Sequence, residues 1–390
     1  YIMNLIKELS WRGMIQDIMP GTEEHLQKEM TTAYVGIDPT ANSLHIGHLV
    51  SVMMLKHLQQ AGHKPIALIG GATAMIGDPS GKLEERKLLS EEAIHTNEKG
   101  IQQQLEKFLD FINKKNKAEI VNNNDWFKHI RTIDFLRDVG KHLTVNYLLS
   151  KGFVKDRMAE GRELSFTEFN YILMQAYDFM ELLESKNCTL QMGGSDQWGN
   201  ITAGAELIRK KLRKEVFAVT CPLITKADGT KFGKTETGNI WLDSNKTSPY
   251  QFYQFWLNAA DEDAKKWIKI FTFLSKDEIE QLITTHQQEP HKRILQKKLA
   301  QELTCFVHSK ADYDFAVQSS EILFGNATAN VLQQLNEQQL LQVLEGIPTS
   351  TYAKTRVEVG IDIISLLAET EIFSSKSEAR KALQGGAIQI

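Results

Sequence analysis

At 390 residues the chain is long enough for two or three domains, at least one of them with a sizeable core. Hydrophobic residues make up 42%, charged residues 24%, and the formal net charge is -4, an ordinary globular balance in which any nucleic-acid partner must be met by local basic patches. Apolar runs stop well short of a membrane span, "YIMNLIKELSW" lacks the order of a signal or transit peptide, and Met3 is the expected natural start.

Residues 1–32 are expected to be helical, because "NLIKELSWRGMI" and "EEHLQKEM" carry apolar residues at helical spacing. "TAYVGI" (32–37) is a short apolar run ending at Asp38-Pro39, which predicts a strand and a turn. "SLHIGHLVSVMMLKHLQQAG" (43–62) has helical periodicity, with Ser43 at its start and Gly62 at its end. "KPIALIGGAT" (64–73) reads as a second buried strand, so the three form a βαβ unit and predict a parallel sheet covered by helices. The alternation continues with a helix over 91–115, a strand over 118–123 and a helix over 132–139. A helix over 166–185, a strand over 188–192, a helix over 197–213 and a strand near 215–219 complete it. Strand signals then cease. A Rossmann-like parallel-sheet domain is expected over 1–247, a helical domain over 248–325, a linker over 326–355 and a small last unit over 356–390. Cys188, Cys221 and Cys305 are isolated and form no C-x-x-C, which predicts buried thiols in a reducing compartment and no metal site.

Several stretches carry more than fold. His45 and His48 fall in the first turn of the 43–62 helix, on one side of it, where a parallel strand hands over to a helix. Helix N–H groups and the positive dipole end favour phosphate there, and Gly47 leaves room for a nucleotide. Two surface histidines would be the plainer reading of a bare H-x-G-H; the position after a strand and turn argues against it. "GDPSGK" (77–82) is not a P-loop, since Ile76 and Leu83 stand where that motif needs Gly and Ser or Thr. In "SFTEFNYILMQAYDFMELLE", Ser165 and Glu168 make a capping box, and Tyr171, Gln175 and Asp178 share one face of an otherwise apolar helix. That stripe is either a solvated edge or the lining of a polar pocket, and Tyr and Gln in place of Lys or Glu favour the pocket. In "QMGGSDQWGN" (191–200), Gly193 and Gly194 permit close backbone approach, Asp196 is placed to accept from ribose hydroxyls and Gln197 to bond a carboxylate. "ADGTKFGKTETGN" (227–239) is a polar loop whose Lys231 and Lys234 suit a polyphosphate, although taken alone it reads as a solvated turn.

In this order, H-I-G-H and K-F-G-K-T resemble the two motifs of class I aminoacyl-tRNA synthetases, the second in the form typical of bacterial tyrosyl-tRNA synthetases. "AYVGIDPTANSLHIGHL", "GGATAMIGDPSGK", "NYILMQAYDF" and "QMGGSDQWGNITAG" are similar to that family as well. The resemblance implies tyrosine activation by ATP, with Mg2+ on the ATP phosphates, and transfer of tyrosine to tRNA. It places Tyr34 and Asp178 on the phenol hydroxyl, and Tyr171, Gln175 and Asp78 on the ammonium group. Gln197 would orient the carboxylate; Thr40, His45 and His48 would meet the phosphates and ribose. Gly36, Asp38, Gly194 and Asp196 would lie along the adenosine, and Lys82, Arg86, Lys231 and Lys234 on loops over the pyrophosphate. Val35 and Ser51 depart from common residues of the family.

The resemblance also implies a cytoplasmic homodimer, no membrane, and an S4-like α+β RNA-binding domain over 356–390, incomplete because the chain stops at Ile390 after one expected strand. Lys376, Arg380 and Lys381 would contact RNA phosphate there; "HKRILQKK" (291–298) is a modest candidate, and "RKKLRK" (209–214) is better read as a solvated helix face. A tryptophan ligase shares the architecture, but Tyr34 with Asp178 argues for a phenol. A small nucleotidyltransferase would lack the helical and C-terminal additions, and an RNA-binding scaffold would not need the full set of site residues.

Overall fold

A computed structural model of the chain describes residues 3–80, 88–113, 115–230, 232–235 and 238–324, and beyond them 336–337, 340–341, 344, 350–370, 372–386 and 388. The chain divides into two compact units, Tyr1–Glu321 and Ile322–Ile390.

The first unit is built on a sheet of β1 (Asp17–Ile18), β2 (Thr32–Ile37), β3 (Lys64–Ile69), β4 (Glu119–Asn122), β5 (Cys188–Gly194) and β6 (Phe217–Cys221). The strand order is β1-β6-β5-β2-β3-β4, parallel throughout except for β1. From β2 the chain first builds outward through β3 and β4, then returns to place β5 on the other side of β2. The reversal of direction opens a crevice at the C-terminal ends of β2 and β5, where open α/β sheets bind ligands. The central strands β2 and β3 are nearly continuous apolar runs because both faces of the sheet are covered.

The helices of this unit begin with α1 (Leu5–Trp11), α2 (Thr22–Lys28), α3 (Ile46–Gln60), α4 (Glu91–Phe108) and α5 (Asn124–Phe127). They continue with α6 (Thr132–Asp138), α7 (Val145–Leu149), α8 (Gly152–Ala159), α9 (Phe166–Lys186) and α10 (Trp198–Leu212). Tyr34, Ile66 and Leu68 of the sheet pack with Ile172 and Phe179 of α9 and Ala203 and Leu207 of α10. Alternate residues Ala33, Val35 and Ala67 are equally buried, and α3 packs on β2, β3 and β5. A short hairpin, β7 (Lys234–Thr235) with β8 (Gly238–Asn239), precedes the helical run α11 (Pro249–Leu257), α12 (Asp261–Phe271), α13 (Lys276–Gln288), α14 (Ile294–Val307) and α15 (Lys310–Phe324). The second unit contains α16 (Lys354–Glu358), α17 (Ile363–Glu369) and α18 (Lys376–Gln384). The strand expected after Gly385-Gly386 falls largely outside the described residues.

Three expectations need correction. Residues 1–32 are not helical throughout: β1 adds to the sheet edge antiparallel to β6, with Thr220 Oγ1 donating to Asp17 Oδ2 at 2.7 Å. The first helix of the βαβ unit starts at Ile46, with His45 and not Ser43 as its N-cap. Residues 44–46 are extended because they pair with 240–242, the Ile46 N–H donating to Ile240 and the Leu242 N–H to Leu44. The helix from 91 ends at Phe108, where Leu109 turns extended and the Asp110 carboxylate collects the N–H groups of Ile112 and Asn113.

His57 of α3 is 1% exposed, and neither ring nitrogen has a partner among the described residues. Burial, aided by the Arg12 guanidinium and opposed by Glu8, lowers its pKa from 6.5 to about 3. Between those values the unfolded chain takes up a proton that the fold refuses, so His57 subtracts stability as pH falls below 6.5. At pH 5 this amounts to about 2 kcal/mol. His57→Leu is therefore expected to gain about that much on its parent between pH 7.5 and pH 5 in urea unfolding, and parallel pH profiles would refute the assignment.

Candidate active site

A cavity of about 620 Å³ fills the crevice. The structure brings to its walls Tyr34, Gly36, Asp38, Thr40, His45, His48, Asp78, Tyr171, Gln175, Asp178, Gly194, Asp196 and Gln197. Lys234 opens β7, paired across to Asn239. Lys82, Arg86 and Lys231 lie outside the described residues.

One end of the cavity is closed. Tyr34 is fully buried there, and its hydroxyl has no partner among the described residues. Asp178, 2% exposed, accepts from Asn123 Nδ2 at 3.1 Å and Trp126 Nε1 at 2.9 Å. Burial raises its pKa well above the usual carboxylate value despite those two donors. Asn123 is itself fixed by its neighbours. It donates to Thr73 Oγ1 at 3.0 Å and accepts from the Ala72 N–H at 2.8 Å. Neither Asn123 nor Trp126 was among the sequence candidates. Their one signal is position, since "NNNDWF" follows directly on the C-terminal end of parallel strand β4. Gln191 was missed too. It stands opposite Tyr34 in the β2–β5 register, is 2% exposed, and its Oε1 lacks a partner among the described residues while its side chain lines the cavity. A glutamine inside the apolar strand "CTLQM" was the available signal.

The middle of the cavity is acidic. Tyr171 Oη donates to Asp38 Oδ2 at 2.9 Å, and Thr73 Oγ1 donates to Asp38 Oδ1 at 2.7 Å. A continuous network thus runs from Asp178 through Asn123, Thr73 and Asp38 to Tyr171. Gln197 Nε2 donates to Asp78 Oδ2 at 2.7 Å, and Asn200 Nδ2 to Gln175 Oε1 at 2.8 Å. Burial first, and then the Asp38 and Asp78 charges, push the Tyr171 hydroxyl well above 10, so it stays a donor. Burial, reinforced by Asp78, likewise raises the Asp196 carboxyl. Asp38 and Asp78 suit this part of the cavity to an ammonium group, and the Asp178 and Asp196 carboxyls suit hydroxyl partners.

The other end is the start of α3. His45 caps the helix: its Nδ1 accepts from the Gly47 N–H at 3.0 Å, while His48 Nδ1 accepts from the His45 N–H at 3.2 Å. An Nδ1 that accepts leaves the proton of a neutral ring on Nε2, so both imidazoles are Nε2–H donors at a positive helix end. Their ring centroids are 4.0 Å apart. Gly47 is required by this arrangement, because a Cβ there would stand 2.7 Å from His45 Cε1.

Comparison with known proteins agrees with this geometry. The family model for class I tRNA synthetases (W and Y) matches residues 26–325. The tyrosine–tRNA ligase of Bacteroides thetaiotaomicron is 60% identical, the alignment covering 100% of this chain and 91% of that protein. That of Porphyromonas gingivalis is 59% identical with the same coverage. Among solved structures, a C-terminally truncated mitochondrial tyrosyl-tRNA synthetase from Aspergillus nidulans superimposes with a TM-score of 0.73 at 29% identity, over 82% of this chain and 94% of that one. Tyrosyl-tRNA synthetase from Archaeoglobus fulgidus shares the fold at a TM-score of 0.59 and 17% identity, over 80% of this chain and 99% of that one. With its crevice at the β2–β5 reversal, its capped histidine pair and these relatives, the chain belongs to the tyrosine–tRNA ligases of the class I tRNA synthetase family.

Proposed function

We propose that the cavity joins L-tyrosine and ATP as tyrosyl-adenylate, and that the chain then passes the tyrosine to the 3′-terminal adenosine of tRNA(Tyr). The observation that carries this reading is the closed end. There the Tyr34 hydroxyl, without a partner among the described residues, and the buried Asp178 carboxyl both line the cavity; a phenol hydroxyl can accept from the first and donate to the second, whereas an indole N–H can only donate. Tyr34 and Asp178 hold the phenol hydroxyl. Tyr171, Gln175 and Asp78 hold the ammonium group, and Gln197 turns the carboxylate toward the nucleotide. Gly36, Asp38, Gly194 and Asp196 lie along the adenosine, while Thr40, His45, His48, Lys82, Arg86, Lys231 and Lys234 meet the phosphates. Mg2+ enters on the ATP phosphates.

A tyrosine carboxylate oxygen attacks the α-phosphorus in line, and pyrophosphate leaves from the opposite side. A ribose hydroxyl of the tRNA end then attacks the carbonyl carbon of the adenylate, and AMP leaves. No side chain acts as nucleophile; positioning and stabilisation of the developing phosphate charge carry the rate. Exchange of labelled pyrophosphate into ATP, run with tyrosine, phenylalanine and tryptophan, tests this. Tyrosine alone is expected to support exchange; exchange with none, from folded protein, would sink it.

The remaining assignments rest on the same reading. The division into a catalytic domain over 1–247, a helical domain over 248–325, a linker over 326–355 and an S4-like unit over 356–390 is proposed, with Lys376, Arg380 and Lys381 of α18 toward tRNA phosphate. In "RKKLRK", Arg209 and Lys210 both pair with Glu206, which favours a solvated face there. A homodimer is supported by exposed apolar side chains between α6 and α9, with Ile133 71%, Val145 60% and Phe166 75% exposed. Sedimentation at micromolar concentration is expected to give the dimer mass, and a monomer would oppose it. Among the described residues no helix is long and apolar enough to cross a membrane, and the free thiols of Cys188, Cys221 and Cys305 support a reducing cytoplasm.

A further inference from the structure

The lysine-bearing loop would be expected to sit loosely in solvent, yet its flanks are held, Ala227 by its N–H on Asp263 Oδ1 at 2.8 Å and Ile240 by burial. Lys226, Asp228 and Ile240 border a separate cavity of about 480 Å³. Phe232, between the two lysines in sequence, is anchored more firmly still. Its ring stacks on Phe271 at 5.4 Å with the planes 12° apart, and stands edge-on to Trp267 at 5.0 Å. Trp256 and Phe255 close the nest at 6.0 and 6.1 Å. Trp256, Trp267 and Phe271 are 0%, 1% and 1% exposed, so the nest is part of the α11–α12 core and does not yield. Aromatic pairs at such separations contribute beyond the area they bury. The next residue, Gly233, adopts φ 81° and lies so close to the start of α3 that a Cβ would stand 3.0 Å from Ile46 Cγ1. Its carbonyl accepts from the Ile240 N–H, whose own carbonyl accepts from the Ile46 N–H. One side of the loop is therefore tied by backbone to the histidine-bearing helix start, and the other by Phe232 to the helical segment.

We propose that Phe232 is a positioning residue, whose ring, seated beside Phe271 and Trp267, sets the course of the backbone that leads into Lys234 at the start of β7. The proposal rests on the reading that Lys234 acts on the phosphates. The helical segment then contributes to activation from outside the cavity, by holding the loop backbone at Phe232.

The test is a double-mutant cycle on single-turnover adenylate formation, with tyrosine binding measured by equilibrium dialysis. Phe232→Ala is expected to slow adenylate formation about 10- to 100-fold, the scale of an ångström-sized misplacement, with tyrosine affinity within about twofold of the parent. Phe232→Leu should recover part of the rate. In a Lys234→Ala background, Phe232→Ala should add little, because a ring acting through the lysine has nothing left to place. Full multiplicative loss in the double variant, an unchanged rate in Phe232→Ala, or a parallel fall in tyrosine affinity would each overturn the positioning role. An unchanged rate in Lys234→Ala alone would instead overturn the underlying reading of the loop. Phe271→Ala approaches the same seat from the helical side and is expected to mimic Phe232→Ala; normal activation in that variant, folded, would count against the nest.

Discussion

Asp178→Asn is expected to lower kcat/KM for tyrosine in pyrophosphate exchange roughly a hundredfold, by about 3 kcal/mol, and to leave the much poorer use of phenylalanine nearly unchanged. The reason lies in who donates to whom. Asn123 Nδ2 donates to one Asp178 oxygen and Trp126 Nε1 to the other. A carboxylate receives both and still has a lone pair on each oxygen for a phenol hydroxyl. A carboxamide must turn its NH2 toward one of those fixed donors, and the network running back through Thr73 and Asp38 leaves Asn123 no freedom to flip. The variant therefore loses a charge-assisted bond and leaves a buried donor unpaired. Phenylalanine never made that bond, so its use is insensitive to the change. Rejection of a ligand lacking a hydroxyl by a site built to bind one is a general rule, for which tyrosine-specific synthetases are themselves a standard illustration. Equal losses with both amino acids would mean that the pocket had collapsed.

The raised pKa of Asp178 adds a pH dependence. A phenol donor favours the ionised carboxylate, so tyrosine binding lowers that pKa and must weaken as pH falls through the value in the free protein. In Asp178→Asn this acid limb should be missing from the pH profile of tyrosine affinity.

What the sequence could and could not reveal follows from the range of the forces involved. Tyr171, Gln175 and Asp178 were legible because helical periodicity puts them on one face of α9, and a polar stripe among apolar neighbours has few other uses. Asn123 and Trp126 were not, because the four residues of α5 are too few to show a period. The same holds for β1, whose two residues are a strand only because β6 is beside them. The start of α3 was misplaced for a related reason. Ser43 is a good local cap, but residues 44–46 are drawn into extended backbone by 240–242, almost two hundred positions away in the chain. Phe232 was read as part of a polar loop, since nothing local indicates that four aromatic rings from α11 and α12 surround it. Local pattern predicted the elements and the self-contained stripe; the long-range pairings that give the site its shape had to be seen.

His45→Asn is expected to reduce the rate of adenylate formation by about a hundredfold or more while leaving tyrosine affinity and thermal stability close to those of the parent. Asparagine is among the best N-cap residues, and its carboxamide oxygen can replace Nδ1 as acceptor of the helix-start N–H. The helix start is thereby preserved. What disappears is the Nε2–H donor on the far side of the ring, which asparagine is too short to supply. Loss of one preorganised donor facing developing negative charge typically costs two to three orders of magnitude in rate, or about 3–4 kcal/mol. In the proposed arrangement tyrosine is held at the opposite end of the cavity, so its binding should not register the change. His45→Ala separates the two roles of the residue. It should show the same kinetic defect and in addition a loss of about 1 kcal/mol of stability from the missing cap. If asparagine restored the rate along with the cap, the imidazole would be a structural fixture of α3, and the charge developing on the phosphates would have to be met by His48 and the loop lysines alone.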